Sequence, residues 1–281
     1  MPTAEMNRSF SGSMPELYDR FLVPLQFEPF AQDLAQRLRK VTSGQLLELA
    51  AGTGVVTRAL ARTLPGSVDI IATDLNPAML EQAKTYAGLE RVAWREADAM
   101  ALPFPDGAFD YVVCQFGVMF FPDKPAAFRE VRRVLRPGGQ FLFNVWGDKK
   151  GTARGLAEQV VGEKLSRDPA SLVAPEYNDI ETVSADLAAA GFAFVRAEKV
   201  SKITLSASAR EAAIANCHGG MLRAQIDKLA PGRLDEITGA VEAAFLARFG
   251  DGPIDAPIHA ILFTGACRDI ERLGGSEGSP G

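Results

Sequence analysis

The sequence predicts an α/β fold: a mostly parallel seven-stranded sheet with helices on both faces and a helical cap. Three observations carry this expectation. Short apolar runs alternate with helical stretches between residues 45 and 147. The first of those runs ends in a glycine turn, Ala50-Ala51-Gly52-Thr53-Gly54. Beyond Gly147 the alternation gives way to a long helical stretch between two further strand candidates.

Residues 1–13 read as a flexible start, followed by two helical stretches, Pro15–Val23 and Pro29–Lys40. In the second, Phe30, Leu34, Leu38 and Val41 fall on one helical face. The first strand is expected over Gln45–Ala50 and its helix over Val55–Leu64. A second strand, Val68–Thr73, leads through Asp74-Leu75-Asn76 into a helix with Asn76 as N-cap and Pro77 at its first position. Strands follow at Val92–Glu96 and Phe109–Gln115, then a helix over Pro125–Leu135, a stop at Arg136-Pro137-Gly138-Gly139, and a strand over Gln140–Trp146. Later come helices over Thr152–Leu165 and from Asp179 or Thr182 to Ala190, with Gly191 as C-terminal stop. Strands over Val195–Leu205 and Ile258–Cys267 flank a helical segment, Ala209–Phe249. The organisation is thus an N-terminal helical lid (1–44), a ligand-binding core (45–147), the rest of the sheet with cap insertions at 148–178 and 208–250 (148–273), and a disordered Gly/Ser-rich tail (274–281).

Composition narrows the function. The net charge of −5 and the lack of a basic block argue against an exposed DNA partner. Two histidines and three widely spaced cysteines, Cys114, Cys217 and Cys267, offer no metal spacing, so no metal site is expected. No apolar run approaches the roughly 20 residues of a membrane span, and Met1–Ser13 lacks the apolar core of a signal peptide. A cytoplasmic location is the expectation, with a small molecule as substrate; the oligomeric state is not legible.

Strand, glycine turn and helix place a ligand at the carboxyl edge of the sheet beside a helix N-terminus. A dinucleotide fingerprint wants a third glycine where Thr57 stands. Glu48 before the turn suits a ligand with an ammonium group and would repel a pyrophosphate, which favours an amino-acid-bearing nucleoside over NAD. Four segments then occur in order: Glu48–Gly54; Ala72-Thr73-Asp74-Leu75-Asn76-Pro77-Ala78-Met79-Leu80; Glu96-Ala97-Asp98-Ala99-Met100-Ala101-Leu102-Pro103-Phe104 with Phe109-Asp110; and Val134-Leu135-Arg136-Pro137-Gly138-Gly139. With them the chain resembles the class I S-adenosylmethionine-dependent methyltransferases, and most of all the branch containing the ubiquinone/menaquinone-biosynthesis enzymes.

The resemblance implies a Rossmann-like sheet with its last strand antiparallel, and S-adenosyl-L-methionine as methyl donor, leaving S-adenosyl-L-homocysteine. It places Ala50, Gly52, Thr53 and Gly54 against the methionine and ribose parts, with Glu48 on the amino-group side. Asp74 would accept from the two ribose hydroxyls, a vicinal diol matching two carboxylate oxygens. Leu75 and Met79 would flank adenine, Asp98 would accept from its amino group, and the Ala99 N–H would donate to a ring nitrogen. Gln115 and Phe116 would line the wall beside the sulfonium, and Tyr18 would reach the carboxylate end. Blander readings stand beside these. Glu48 could pair with a basic side chain, Cys114 reads as a buried small hydrophobe, and Phe116–Phe121 could face either substrate or core. His218 is the one candidate general base, with a packing role as its alternative. A non-catalytic donor-binding regulator and an NAD-dependent oxidoreductase are the competing functions.

Overall fold

The computed structural model describes residues 14–268, so the expected flexible start (1–13) and tail (274–281) lie outside the described residues. The chain opens with α1 (Met14–Leu17), which runs without a break into a π-helical segment (Tyr18–Phe27) and then α2 (Glu28–Arg37). The first helical stretch was expected only over Pro15–Val23, and Pro24 next to it cannot continue an α-helical ladder. Instead the wider turn absorbs the proline, and the Glu28 N–H reaches back five residues to the Val23 carbonyl.

The sheet comprises β1 (Gly44–Leu49), β2 (Val68–Asp74), β3 (Val92–Glu96), β4 (Phe109–Gln115), β5 (Leu135–Trp146), β6 (Phe194–Ser206) and β7 (Ile254–Ala266), in the order β3-β2-β1-β4-β5-β7-β6. All neighbours from β3 to β5 are parallel, and β7 runs antiparallel to both β5 and β6. The seven-stranded, mostly parallel sheet with an antiparallel last strand is therefore the one expected. Its strand order reverses between β1 and β4, the point at which such sheets open a crevice at their carboxyl ends.

Helices α3 (Val55–Thr63), α4 (Pro77–Lys84), α5 (Lys124–Val134) and α7 (Ile180–Ala189) belong to this core, while α6 (Ala153–Leu165), α8 (Ala209–His218), α9 (Met221–Leu229) and α10 (Leu234–Phe249) build the cap. Local chemistry fixes several boundaries. The Asn76 side chain accepts from the Ala78 N–H with Pro77 at the first position, and the Asp179 carboxylate accepts from the Thr182 N–H. One junction departs from expectation. Arg136-Pro137-Gly138-Gly139 is not a turn before β5 but a bulge inside it, where the pairing register with β4 shifts between Phe109 and Tyr111. A Cβ on Gly139 would sit 2.9 Å from the Arg136 carbonyl oxygen, so the bulge needs glycine there.

Among the described residues two large apolar clusters, with a small third one at Leu22, Leu25 and Ala215, hold the molecule together. The larger packs Leu46, Leu47, Val112, Phe141 and Phe143 of the sheet against Phe30, Leu34, Leu60 and Phe128 of the helices. The smaller lies within the cap, with Ala157, Val161, Ala213, Ile226, Val241 and Phe245 closed by Ile254 and Ala256 at the start of β7. The cap thus carries its own core. Among the described residues no helix is long and apolar enough to cross a membrane.

Candidate active site

The turn after β1 brings the backbone to the cavity surface. Ala50 and Gly52 take left-handed φ angles of 51° and 55°, and the open side of Gly52 meets nothing within 4 Å. Gly54, with φ 80°, faces the other way: a Cβ there would meet Ala83 at 3.1 Å and Trp94 at 3.2 Å, so this glycine lets α4 and β3 approach the turn. Asp74, at the end of β2, locks the arrangement. Its Oδ2 accepts from the Gly52 N–H and its Oδ1 from the Asn76 N–H, both at 2.8 Å. Burial raises the Asp74 carboxyl above its usual range, and the backbone donors pull the other way.

Around these groups lies a cavity of about 430 Å³ at the carboxyl ends of β1 to β5. Leu75 and Met79 line it beside Asp74, and Asp98, Ala99 and Met100 line it after β3. Asp98 is half-buried, its Oδ1 accepting from the Met100 N–H at 2.9 Å. At the end of β4, Gln115 and Phe116 form the wall. Phe116 is held at φ 51°, a strained conformation for a bulky residue, by two bonds from its N–H to the carbonyl and side chain of Asn144. Its ring stacks on Trp146 at 3.6 Å. Tyr18 and Phe27 of the π-helical segment pack over the same wall, ring to ring at 5.2 Å.

The structure does not bring every candidate to the cavity. Glu48 is 2% exposed beneath the turn, where its Oε2 accepts from the Thr57 hydroxyl at 2.6 Å, and burial pushes its carboxyl up to about 8. A carboxylate sunk this far does not reach the wall, and Thr57, standing where a dinucleotide fingerprint has glycine, supplies its partner. Thr53 is turned toward the N-terminal segment, where its hydroxyl donates to Asp19 Oδ1 at 2.8 Å. His218 ends α8 with its Nε2 3.0 Å from the Thr238 hydroxyl of α10, and burial lowers its pKa. It packs the cap and is not on the wall. Cys114 is fully buried and pushed up to about 12, an inert thiol. Of the Phe116–Phe121 cluster, Phe116, Phe120 and Phe121 line the cavity, whereas Met119 is buried in the core.

Other residues were invisible to sequence patterns. Asp19 is 6% exposed and receives the hydroxyls of Thr53 and Tyr86 and the Arg58 guanidinium, tying the N-terminal segment to the turn and to α3. Gly117 lies so close to Ala50 that a Cβ would come within 2.5 Å of the Ala50 methyl. Arg154 and Glu158 of α6 and Asn216 of α8 complete the wall from the cap side. Only a charged residue one helical turn from another in α6 gave any hint of the first two.

The residues present fit an adenosyl amino acid. The Asp74 oxygens, facing the backbone N–H groups of Gly52, Asn76 and Leu75, keep acceptor capacity beyond those bonds. Leu75 is 46% exposed next to it, apolar surface in want of cover. The buried Gln115 Oε1 has no partner among the described residues. Among the described residues no cluster of His, Cys, Asp and Glu could hold a metal ion.

Fold and site together define a donor-binding α/β transferase core, and comparison with known proteins makes the class specific. Residues 47–143 match the family model of a methyltransferase domain, and this part of the chain is a class I S-adenosylmethionine-dependent methyltransferase domain. The chain is 39% identical over 145 residues to the demethylmenaquinone methyltransferase of Thermus thermophilus, covering 48% of this chain and 65% of that one. It is also 39% identical over 145 residues to the malonyl-[acyl-carrier protein] O-methyltransferase of Halorhodospira halophila, 50% of this chain and 48% of the relative. The match spans about half to two thirds of these relatives. Among solved structures, the phosphoethanolamine N-methyltransferase of Haemonchus contortus in complex with S-adenosyl-L-methionine superposes with a TM-score of 0.61 at 17% identity, over 95% of this chain and 60% of that one. That likeness concerns the fold.

Proposed function

We propose that the protein transfers the methyl group of S-adenosylmethionine to a small, moderately hydrophobic organic acceptor by in-line displacement at carbon. The observation that carries this reading is Asp74, whose two oxygens are fixed by backbone N–H groups beside the open face of Gly52. Asp74 would accept from the ribose hydroxyls, Leu75 and Met79 would flank the adenine, and Asp98 with the Ala99 N–H would read its edge. Tyr18 would stand at the carboxylate end. The glycine turn would lie against the ribose and methionine parts, with Glu48, Thr53 and Gly54 supporting it from behind.

When bound, the donor supplies a sulfonium, which makes its methyl carbon electrophilic. The chain's task is then to align the attacking atom and exclude water, and such positioning is worth roughly 7–11 kcal/mol of barrier. Gln115 and Phe116 would shape the wall at that step, and the ring contacts among Phe27, Phe30, Phe116 and Trp146 support a water-poor pocket. The relatives' names cover acceptors of different kinds, so the shared domain speaks for the donor. The apolar side chains of Phe120, Phe121, Val173 and Met221 on the wall are what support a moderately hydrophobic acceptor.

Calorimetry with S-adenosylmethionine and S-adenosylhomocysteine tests the reading, followed by labelled-methyl transfer into an acceptor library. Binding of both is expected, with release of S-adenosylhomocysteine during turnover. No binding of either ligand would overturn it, and binding without transfer to any acceptor would favour a regulatory role.

A further inference from the structure

The donor's recognition elements gather at the ends of β1 to β3, yet the cavity's strongest charges lie elsewhere. Arg154 and Glu158 project from the first turns of α6 into the wall, with side chains only 14% and 3% exposed. Glu158 is held by two cations: its Oε2 lies 2.9 Å from Lys149 Nζ and its Oε1 lies 2.9 Å from Arg154 Nε. Each oxygen thus lies at ion-pair distance from a cation, although neither contact has hydrogen-bond geometry among the described residues. The nearest approach of Arg154 to Glu158 is through Nε, and a planar guanidinium carries four further N–H donors on its two Nη groups, which suit a carboxylate met side by side.

Its guanidinium also lies over the Trp146 ring, 4.6 Å from the centroid. The face of Trp146 stacked on Phe116 at 3.6 Å has no room for it, so Arg154 occupies the opposite face. The indole of Trp146 therefore lies between it and the Phe116 ring. Here the cations Arg154 and Lys149 meet two acids, the buried Glu158 and the half-exposed Glu176. Burial depresses the Arg154 pKa, while Glu158 and Glu176 pull the other way.

We infer that Arg154 is the specificity-determining residue of the acceptor subsite, and that the acceptor is a planar, largely apolar molecule carrying an anionic oxygen. The inference rests on the methyltransferase reading of the same cavity. The anion pairs with the Arg154 fork, the apolar body lies among Trp146, Phe120, Phe121 and Met221, and the Gln26–Asn216 amide pair (2.9 Å) closes the site from the lid side. Glu158 and Lys149 are positioning residues that hold the guanidinium flat on the indole.

The test measures binding of benzoate, cinnamate and naphthoate, each against its neutral methyl ester, to the full-length protein saturated with S-adenosylhomocysteine. The acids are expected to bind about tenfold or more tightly than their esters. Arg154→Met should abolish that preference and Arg154→Lys should keep part of it, both with unchanged affinity for S-adenosylhomocysteine. Equal binding of acid and ester by the unmutated protein, or no binding of any acid, overturns the inference without recourse to a variant. So does a fall in S-adenosylhomocysteine affinity in Arg154→Met, which would put the guanidinium on the donor's own carboxylate. Failure of the unmutated protein to bind S-adenosylhomocysteine is a separate result, and it removes the methyltransferase reading itself.

Discussion

The cavity wall at the ends of β1 to β3 is built from backbone, whereas the wall contributed by the cap is built from side chains. On the first side, Gly52 and Ala50 present main chain, Asp74 is oriented by main-chain N–H groups, and Ala99 lines the cavity in the turn after β3. On the second, Arg154, Glu158, Asn216 and Met221 arrive from three helices. The cap is also anchored on its own apolar cluster, separate from that of the sheet. A backbone-built wall is fixed by turn geometry and tolerates little change, while a side-chain wall on an independent core can be rewritten without disturbing the sheet. Under the proposed function, that division would let the acceptor side change while the donor side stays the same.

The largest expected effect tests whether the two walls are separable. Asp74→Ala removes both fixed oxygens and should weaken S-adenosylhomocysteine binding by about 100-fold or more, two charge-assisted hydrogen bonds being worth roughly 1.5–3 kcal/mol each. Arg154→Met should leave that affinity within about twofold. Comparable losses in both variants, measured by calorimetry, would show one continuous site rather than two walls.

The same contrast explains what was legible in the sequence. Backbone geometry leaves a local signature: glycines where φ is positive, Asn76-Pro77 where a helix starts, a carboxylate at a strand end. Hence Ala50, Gly52, Asp74, Leu75, Met79, Asp98 and Ala99 were found from short motifs, and all of them line the cavity. Glu48 and Gly54 carry the same signature but serve the turn from beneath, since a motif reports that a residue is constrained and not which side of the loop it constrains. Arg154 sits in a helix whose pattern reads as an ordinary charged surface, and only the packing of α6 against Trp146 turns it inward. Asp19 was silent for a related reason. Its three partners, Thr53, Arg58 and Tyr86, are 34 to 67 residues away, beyond any periodicity.

Asp19 is also where the N-terminal helical segment meets the backbone-built wall, and its loss is the next effect in size. Asp19→Ala leaves Arg58, whose side chain is 15% exposed, without its carboxylate and frees two hydroxyls. A stability loss of about 2–4 kcal/mol is expected in urea unfolding, together with faster proteolysis between residues 14 and 27. Unchanged proteolysis there would mean that Leu22, Leu25 and the aromatic contacts, not the Asp19 latch, hold the segment down.

Beneath the turn, Glu48 offers a smaller, pH-dependent effect. Its carboxyl is pushed up from 4.5 to about 8 by burial, so the folded chain keeps a proton that the unfolded chain releases. The corresponding stability is complete below about pH 4.5 and is lost as the pH rises through about 8, with a limiting slope near 1.4 kcal/mol per pH unit. Glu48→Gln keeps the shape without the ionisation. Its melting temperature should gain on that of the unmutated protein as the pH is raised across this window. Parallel curves would show that Glu48 is ionised throughout, and that the turn rests on a buried charge.

The smallest effect asks how much strain the backbone-built wall stores. Ala50 holds φ at 51°, a conformation that costs a residue with a Cβ about 1–2 kcal/mol. Ala50→Gly relieves that cost but returns about 0.5–1 kcal/mol of chain freedom to the unfolded state, and it removes the methyl that packs against Gly117. The terms nearly cancel, so a net gain of at most about 0.5 kcal/mol is expected in thermal unfolding. A loss above about 1 kcal/mol would show that the Ala50–Gly117 contact outweighs the strain. The ends of β1 and β4 would then be held together by side-chain packing after all, and the distinction between the two walls would be one of degree.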